Sequence, residues 1–308
     1  MALPLPTIKT YSPFQPGPFR MAMNLFPLDL AEWIEIDTDL PAHLAEKRRL
    51  LAERATEVFA AQPQAQCGSQ ETLELLVEHL TTHFSQVYQR DGTTITNQAT
   101  GECWQLADSS LHPLDLAGRL VQEDLCLMQR DPDYGIYRLV AASLCFPTRW
   151  RLHEKLGQAL AAIHGPTPHY AETIATPMDR AFDKLRADRS VWRLNWSVLD
   201  NGALFQPTGH GRKDYVTDVT AANAGDKLWL RVERQTLRRL PQSGDILFTI
   251  RIYNHPFHTL AHQPEAAQRL AAAIAGLDER MTDYKSLRPI RQAAMAWLAS
   301  CGATTEQE

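Results

Sequence analysis

The 308-residue sequence has few cysteines, no long apolar run and no excess of basic residues. Its five cysteines are an odd number at long spacings, so it encodes neither a disulfide framework nor a CxxC zinc or iron–sulfur site. No apolar run approaches the roughly 18 residues of a membrane-spanning helix, and the proline-rich start lacks the blocks of a secretory signal. A net charge of −5 gives no basic footprint for nucleic acid. We therefore expect a cytoplasmic protein that binds neither membranes nor nucleic acid.

Several common catalytic and nucleotide-binding motifs are also missing from the sequence. There is no G-x-G-x-x-G or P-loop, which argues against a dinucleotide bound in the usual way, and no G-x-S-x-G elbow for a catalytic serine. The composition, 44% hydrophobic and 22% charged, is typical of a globular chain. If the protein uses electrons from an iron–sulfur cluster, that cluster must lie on another chain.

The hydrophobic pattern predicts an order of helices, a hairpin, a second helical block, three strands and final helices. Helices are predicted over residues 42–61, from Ser69 to Asp91, from Pro113 toward Asp131, and over 153–164, 177–186, 264–277 and 287–299. Strands are predicted over residues 94–96, 103–105, 137–146, 191–199, 228–236 and 245–253. Because hairpin-connected strands that are grouped together form antiparallel sheets, the expected fold class is α+β, one sheet-centred core with helical N- and C-terminal extensions.

His164 is a candidate metal ligand at the end of a predicted amphipathic helix. It follows Leu160 by four residues on the apolar stripe, and Gly165-Pro166 ends the helix directly after it. A neutral imidazole on an apolar face suits the iron of a haem, whose porphyrin is itself a large apolar disc. The alternative is a core histidine that is hydrogen-bonded to a carbonyl group, and His169 is the nearest competing ligand.

The final predicted hairpin carries a second group of candidates. Arg231, Glu233 and Gln235 alternate with apolar residues on one strand, and Arg251 and Tyr253 are expected to oppose them on the next. Such a face is either solvated exterior or the floor of a polar pocket. In a pocket, the arginines would pair with propionates or polarise bound oxygen, and the glutamate would hold an ammonium ion.

Two further polar segments have simpler expectations. Asn195, in the strand over residues 191–199, is placed to orient a ligand from its polar face. The run Gln122-Glu123-Asp124 is predicted to lie on a helix, as an exposed or capping feature.

Several segments, taken in their order along the chain, carry a resemblance to a known family. They are Trp33-Ile34-Glu35-Ile36-Asp37, Val121-Gln122-Glu123-Asp124-Leu125, Glu154-Lys155-Leu156-Gly157, Ile163-His164-Gly165-Pro166-Thr167-Pro168, Arg193-Leu194-Asn195-Trp196-Ser197, the run from Leu230 to Pro241, Ser243-Gly244 and Phe248-Thr249-Ile250-Arg251. Together they span about residues 25–284, and they resemble the haem-dependent oxidative N-demethylase alpha-subunit family.

The resemblance implies a PAS-like fold in which an antiparallel sheet and its helices hold haem b. Together with the hydrophobic pattern, it gives an N-terminal arm over residues 1–40, one haem-binding domain over 41–300 and a tail over 301–308. The implied activity is that of an oxidase of the monooxygenase type. It oxidises a small secondary amine such as dimethylamine with O₂ to a primary amine and formaldehyde. Electrons come from NADPH through FMN and a 2Fe-2S centre on partner reductase subunits.

The site residues are carried over from the same resemblance. His164 is the iron ligand, and the cofactor-binding residues are His164, Arg231, Arg234, Asn195 and Trp196. The expected catalytic residues are Glu233, Arg251 and Tyr253. The alternatives are a haem-based sensor of gas or redox state and a non-catalytic ligand-binding protein of the same fold. Only the demethylase would form formaldehyde.

Overall fold

A computed structural model describes residues 4–209 and 218–303, where the fold is α+β, with a seven-stranded antiparallel sheet and a separate three-stranded sheet. The strands are β1 (Phe26–Pro27), β2 (Phe59–Ala61), β3 (Tyr88–Asp91), β4 (Thr94–Asn97), β5 (Cys103–Gln105), β6 (Asp124–Arg130), β7 (Tyr137–Ser143), β8 (Val191–Leu199), β9 (Trp229–Arg239) and β10 (Ile246–Pro256). The helices are α1 (Leu40–Glu53), α2 (Ala55–Val58), α3 (Gln66–His83), α4 (Pro113–Leu120), α5 (Leu152–Lys155), α6 (Leu160–Ile163), α7 (Tyr170–Thr173), α8 (Ala175–Lys184), α9 (Ala224–Lys227), α10 (Pro264–Ala275), α11 (Glu279–Tyr284) and α12 (Arg291–Ala303). No helix in the described ranges is long and apolar enough to cross a membrane.

The large sheet has the strand order β1-β8-β9-β10-β6-β7-β2, and each neighbouring pair in it is antiparallel. Helices α1, α3 and α4 share an apolar cluster with one face of this sheet. Helices α6, α7 and α8 share another with Cys126, Met128 and Leu237 on the opposite face. Helices α10 and α12 pack with Val232 and Tyr253 at the β9–β10 end. Helices therefore cover both faces of the sheet.

The strands predicted at the centre of the sheet are confirmed. β8 covers residues 191–199 as predicted, and β9 and β10 contain most of the two predicted hairpin strands and extend beyond them. β9 and β10 pair continuously from Arg239 and Ile246 to Trp229 and Pro256. The alternating pattern was sufficient here because successive residues of a strand face opposite sides of a sheet.

Two helices predicted in the first hundred residues end earlier than expected. The helix over residues 42–61 is divided at Arg54 into α1 and the four-residue α2, and β2 then forms an edge strand beside β7. The helix that was expected to reach Asp91 ends at His83, and β3 then pairs with β4 of the predicted hairpin. In both places, pairing with a neighbouring strand replaces helical hydrogen bonds.

The helix predicted from Pro113 toward Asp131 is wrong in its second half, where the buried strand β6 follows α4. A short apolar run fits a buried strand as well as a helix, and periodicity alone does not separate them. As a consequence, the run Gln122, Glu123 and Asp124 is not exposed on a helix but completely buried. Of the predicted tail, residues 304–308 lie outside the described part of the chain.

Candidate functional site

A cavity of about 690 Å³ lies between the central strands and helices α6 to α8. Small-molecule and cofactor sites have volumes of roughly 300–1,000 Å³, so this cavity is large enough for either. Residues 15–22 of the N-terminal arm also line it. The arm is fixed there by the backbone amide of Phe19, which donates to the Gly276 carbonyl at 2.8 Å. The cavity is thus bounded by the sheet, by helices and by the arm.

His164 lines this cavity from the end of α6. The single helix predicted over residues 153–164 is interrupted at Gly157, whose φ of +77° lies in the left-handed region that favours glycine. α5 and α6 are therefore separate four-residue helices, and His164 caps the second one. Its ring stacks on Tyr170 with 4.5 Å between the ring centroids. The position of His164 at a helix end agrees with the sequence, but the helix is much shorter.

The hydrogen bond of His164 decides which ring nitrogen is free. Nδ1 lies 2.9 Å from the Leu160 carbonyl oxygen, and because a carbonyl only accepts, Nδ1 carries the proton. Burial lowers the pKa of the imidazole, so the neutral ring is favoured and Nε2 keeps its lone pair. Nε2 has no hydrogen-bond partner within residues 4–209 and 218–303. A carbonyl bond at one nitrogen fits a core histidine, and it is also how metal-ligating histidines are oriented.

The competing ligand, His169, is placed differently. Its Nε2 lies 2.6 Å from Asp278 Oδ2, and its side chain does not line the cavity. In the described part of the chain, no three His, Cys, Asp or Glu side chains are grouped as a bare-metal site would require. A haem iron takes four ligands from its porphyrin, so one free imidazole is enough for it.

One wall of the cavity is apolar. Cys126 and Met128 on β6, Leu237 on β9, and Phe248 and Ile250 on β10 line it. The strand register pairs Phe248 with both Cys126 and Leu237, so these side chains share one face of the sheet. An apolar wall and a free imidazole nitrogen in one cavity fit a porphyrin with iron at its centre.

Glu233 lies on the same face and lines the same cavity. Its Oε1 accepts a hydrogen bond from the Thr148 hydroxyl, and its Oε2 accepts from Asn195 Nδ2 at 3.3 Å and Gln235 Nε2 at 2.8 Å. All three donors are neutral, and Glu233 forms no salt bridge with a described residue. Asn195 and Glu233, both predicted as site residues, are therefore brought together by the pairing of β8 with β9.

The guanidinium of Arg231 serves the framework behind this cluster. It donates to the carbonyl oxygens of Phe146, Ala203 and Leu204 at 2.7 to 3.2 Å, and to Thr148 Oγ1 at 3.0 Å. Arg231 does not line the cavity. It holds Thr148, which in turn donates to the cavity carboxylate. Its predicted position on the polar face is correct, but its donors are already occupied.

Trp196, another predicted cofactor-binding residue, does line the cavity. Its backbone carbonyl accepts a hydrogen bond from Lys285 Nζ at 2.6 Å, and the same ammonium lies 4.8 Å from its ring centroid. Its indole ring also meets Phe14 of the arm edge-on, with 5.7 Å between ring centroids.

Arg234, Arg251 and Tyr253 do not line the cavity, because the register places them on the opposite face of the sheet. Arg251 donates to Asp37 Oδ2 at 2.6 Å. Arg234 lies 3.5 Å from Glu35, which also accepts the hydroxyl hydrogen bond of Tyr253. The expected polar face that combined Arg251 and Tyr253 with Glu233 is therefore corrected. β10 directs its odd-numbered residues away from the cavity.

The polar residues of the cavity that were not among the predicted site residues include Thr148, Arg193 and Lys285. Arg193 is two residues before Asn195 on β8, so the alternation that indicated Asn195 also indicated Arg193. Thr148 and Lys285 lie in connections that tertiary packing brings to the sheet, and no local pattern marks them. Burial lowers the pKa of Lys285 to about 8.

The comparison with protein families agrees with this geometry. The family model described as haem-dependent oxidative N-demethylase, alpha subunit-like matches residues 24–295 of the chain. The match includes the seven-stranded sheet, His164 and the polar cluster around Glu233, and it confirms the resemblance drawn from the sequence. The family's description names a haem-dependent oxidative enzyme and an alpha subunit. The chain belongs to the haem-dependent oxidative N-demethylase, alpha subunit-like family.

Proposed function

We propose that this chain is a haem-dependent oxidase that removes a methyl group from a small secondary amine of the dimethylamine type. The products are a primary amine and formaldehyde, and O₂ is the oxidant. One observation carries the proposal: the Nδ1–H of His164 is bonded to Leu160, and its free Nε2 shares a cavity with the carboxylate of Glu233. A metal-ligating nitrogen and a cation-binding oxygen are thus available to one enclosed ligand.

His164 would hold the iron through Nε2, and the apolar wall that includes Met128, Leu237 and Phe248 would contact the porphyrin. When bound, the haem supplies the redox chemistry with O₂ that oxidises the N-methyl group. The protein contributes the fixed tautomer of His164, because the bond from Nδ1 to Leu160 prevents Nε2 from carrying the proton.

Glu233 would bind the amine. A small secondary amine is protonated near neutral pH and carries two N–H donors, and the hydrogen-bond donors to Glu233 in the described chain are all neutral. Its Oε1 accepts one hydrogen bond, from Thr148, and so has room for another. Asn195 and Gln235 hold the other oxygen and fix the plane of the carboxylate. Glu233 is also placed to receive a proton from the bound ammonium.

The face of the sheet opposite the cavity would have a supporting role, through Arg234, Arg251 and Tyr253. Their hydrogen bonds to the segment around Glu35 and Asp37 fix β9 and β10 in position. They would support the strands that carry Glu233 rather than contact the amine.

We also propose that residues 41–300 form one PAS-like, haem-binding domain, which the arm over residues 1–40 helps to enclose. Across the sheet, the five central strands follow the order β7-β6-β10-β9-β8, which is 2-1-5-4-3 when β6 is counted as the first strand. Helices α5 to α8, which lie between β7 and β8 in the chain, cover the cavity. Partner subunits with FMN, 2Fe-2S and NADPH would supply electrons, as the alpha-subunit description supports. The cytoplasmic location stays a prediction.

The proposal is tested by measuring formaldehyde from dimethylamine, O₂ and a chemical or enzymatic electron donor. The wild-type protein should form formaldehyde, and Glu233→Gln should lower kcat/KM by about 10- to 100-fold, because a charge-assisted hydrogen bond to the ammonium is lost. Its haem content should be unchanged. The exposed Glu53 lies outside the cavity, so Glu53→Gln is the matched control. A haem-loaded wild-type protein that forms no formaldehyde would contradict the demethylase and favour the sensor.

A further inference from the structure

Arg193 is a half-buried cation of the cavity that interacts electrostatically with Glu233 but has no hydrogen-bond or ion-pair partner in the described part of the chain. It lies on β8, lines the cavity, and its Nε is buried without a hydrogen-bond acceptor. No hydrogen bond or salt bridge joins its guanidinium to residues 4–209 or 218–303. Burial lowers its pKa, although a guanidinium stays charged at neutral pH. A partly buried guanidinium whose hydrogen bonds are not made costs folding free energy, so such groups mark sites where a ligand completes the structure.

Arg231, on the neighbouring strand and the same face of the sheet, differs from Arg193 because its guanidinium makes hydrogen bonds within the fold. All three of its guanidinium nitrogens donate, to three backbone carbonyls and one hydroxyl. The pairing of β8 with β9 places Arg231 opposite Ser197, four residues along β8 from Arg193. One arginine is therefore held by the fold, and the other presents its donors to the cavity.

The charge of the cavity lining has the same sign as Arg193. Its cations are Arg20, Arg149, Lys155, Arg193 and Lys285, and Glu233 is its carboxylate among the described residues. Arg149 is paired with Asp200 at 3.5 Å. The Lys285 ammonium donates to the Trp196 carbonyl and forms no ion pair with a described residue, although the charge of Glu233 also acts on it. The lining thus has positive charge in excess.

We propose that Arg193 is a carboxylate-binding residue of this cavity, with the excess positive charge of the lining drawing the same anionic group. A guanidinium binds a carboxylate through two parallel hydrogen bonds. Two ligands of the proposed function can bring that group: a propionate of the haem, or an acidic substituent on the amine substrate. The inference rests on the proposed function, and it adds the residue that recognises the acidic end of a ligand.

The first test uses the haem-free full-length chain. Arg193→Met removes the charge and keeps the length of the side chain. Because Arg193 forms no hydrogen bond or ion pair with a described residue before the ligand binds, the variant should unfold in urea at the same or a higher midpoint than wild type. A purely structural arginine would lower that midpoint. Arg231→Met, which removes a saturated guanidinium from the same face, is the matched control and should lower it.

The second test compares haem with haem dimethyl ester, which lacks free carboxylates. If a propionate is the group bound, Arg193→Met should release haem to a scavenger protein about 10- to 100-fold faster than wild type, and Arg193→Lys should lie between them. The dimethyl ester should leave both proteins at the same rate. If the group is on the substrate, haem release is unchanged, and the variant selectively loses affinity for N-methylglycine over dimethylamine.

The tests distinguish a failure of the proposed function from a failure of the proposed role of Arg193. A wild-type chain that binds no haem contradicts the proposed function. In the other case, the wild-type chain binds haem while Arg193→Met equals it in the release rates of haem and of the dimethyl ester and in its affinities for both amines. That result overturns only the role of Arg193.

Discussion

The two faces of the large sheet hold their charged side chains in different ways. On the face opposite the cavity, Arg234 and Arg251 are buried beside Glu35 and Asp37, and both arginines also donate to backbone carbonyls. On the cavity face, neither Arg193 nor Glu233 has a salt-bridge partner among the described residues. The first set of charges is neutralised by the fold itself. Arg193 and Glu233 attract each other electrostatically without forming an ion pair, and we propose that a ligand completes their hydrogen bonding.

On the face opposite the cavity, the buried carboxyl group of Glu35 is stabilised in its ionised form. Burial opposes ionisation of Glu35, but the charge of Arg234 and hydrogen bonds from Lys9, Tyr11 and Tyr253 outweigh it, so the pKa of Glu35 is lowered. These partners come from the arm, from β9 and from β10. One buried carboxylate therefore joins the arm to the back of the strands that carry the cavity residues.

The largest effect on this comparison is expected from Arg251→Met. The substitution leaves Asp37 buried without its cation, and loss of one partner of a buried pair costs about 3–5 kcal/mol of unfolding free energy. Urea unfolding of the haem-free protein measures this change. Arg193→Met, on the other face of the same sheet, is the internal comparison and should cost nothing. Equal losses in both variants would remove the distinction between the two faces.

A smaller effect, with a pH signature, is expected from Glu35→Gln. Loss of the charge-assisted hydrogen bonds should cost about 1.5–3 kcal/mol at pH 7. The folded-state pKa of Glu35 lies below its unfolded value of about 4.3, so its contribution is present above that pH and lost as the pH falls through the folded-state pKa. Glutamine does not titrate. The gap in unfolding free energy between wild type and variant should therefore narrow below about pH 4, and a constant gap would show that Glu35 acts without its charge.

The sequence predicted the α+β class and the central strands β8 to β10 because polar and apolar residues alternate over much of their length. It did not predict β6, whose residues Leu125 to Met128 are buried on both faces and show no strand period. Because β6 was predicted as part of a helix, the burial of Glu123 and Asp124 was not predicted either. Asp124 accepts hydrogen bonds from the amides of Cys145 and Phe146 at 2.8 Å, a pairing that depends on tertiary contacts.

The part of the candidate site that lies on one face of the paired strands β8 and β9 could be predicted from the sequence. Asn195 and Glu233 meet because β8 and β9 are antiparallel neighbours, and His164 lies at a helix end that Gly165 marks in the sequence. Arg251 and Tyr253 were placed on the wrong face because the register of β10 is fixed by its neighbours, not by its own residues. Contacts from separate connections, such as that of Thr148, leave no local signal.

The central claim is that His164 binds iron through Nε2, and the absorption spectrum of the haem-reconstituted protein tests it most directly. Wild type should show the Soret band of a protein-bound haem, and His164→Ala should lose the haem or change its spin state. His169→Ala, which removes the nearby histidine that pairs with Asp278 outside the cavity, should keep the wild-type spectrum. A wild-type spectrum in His164→Ala would contradict the account.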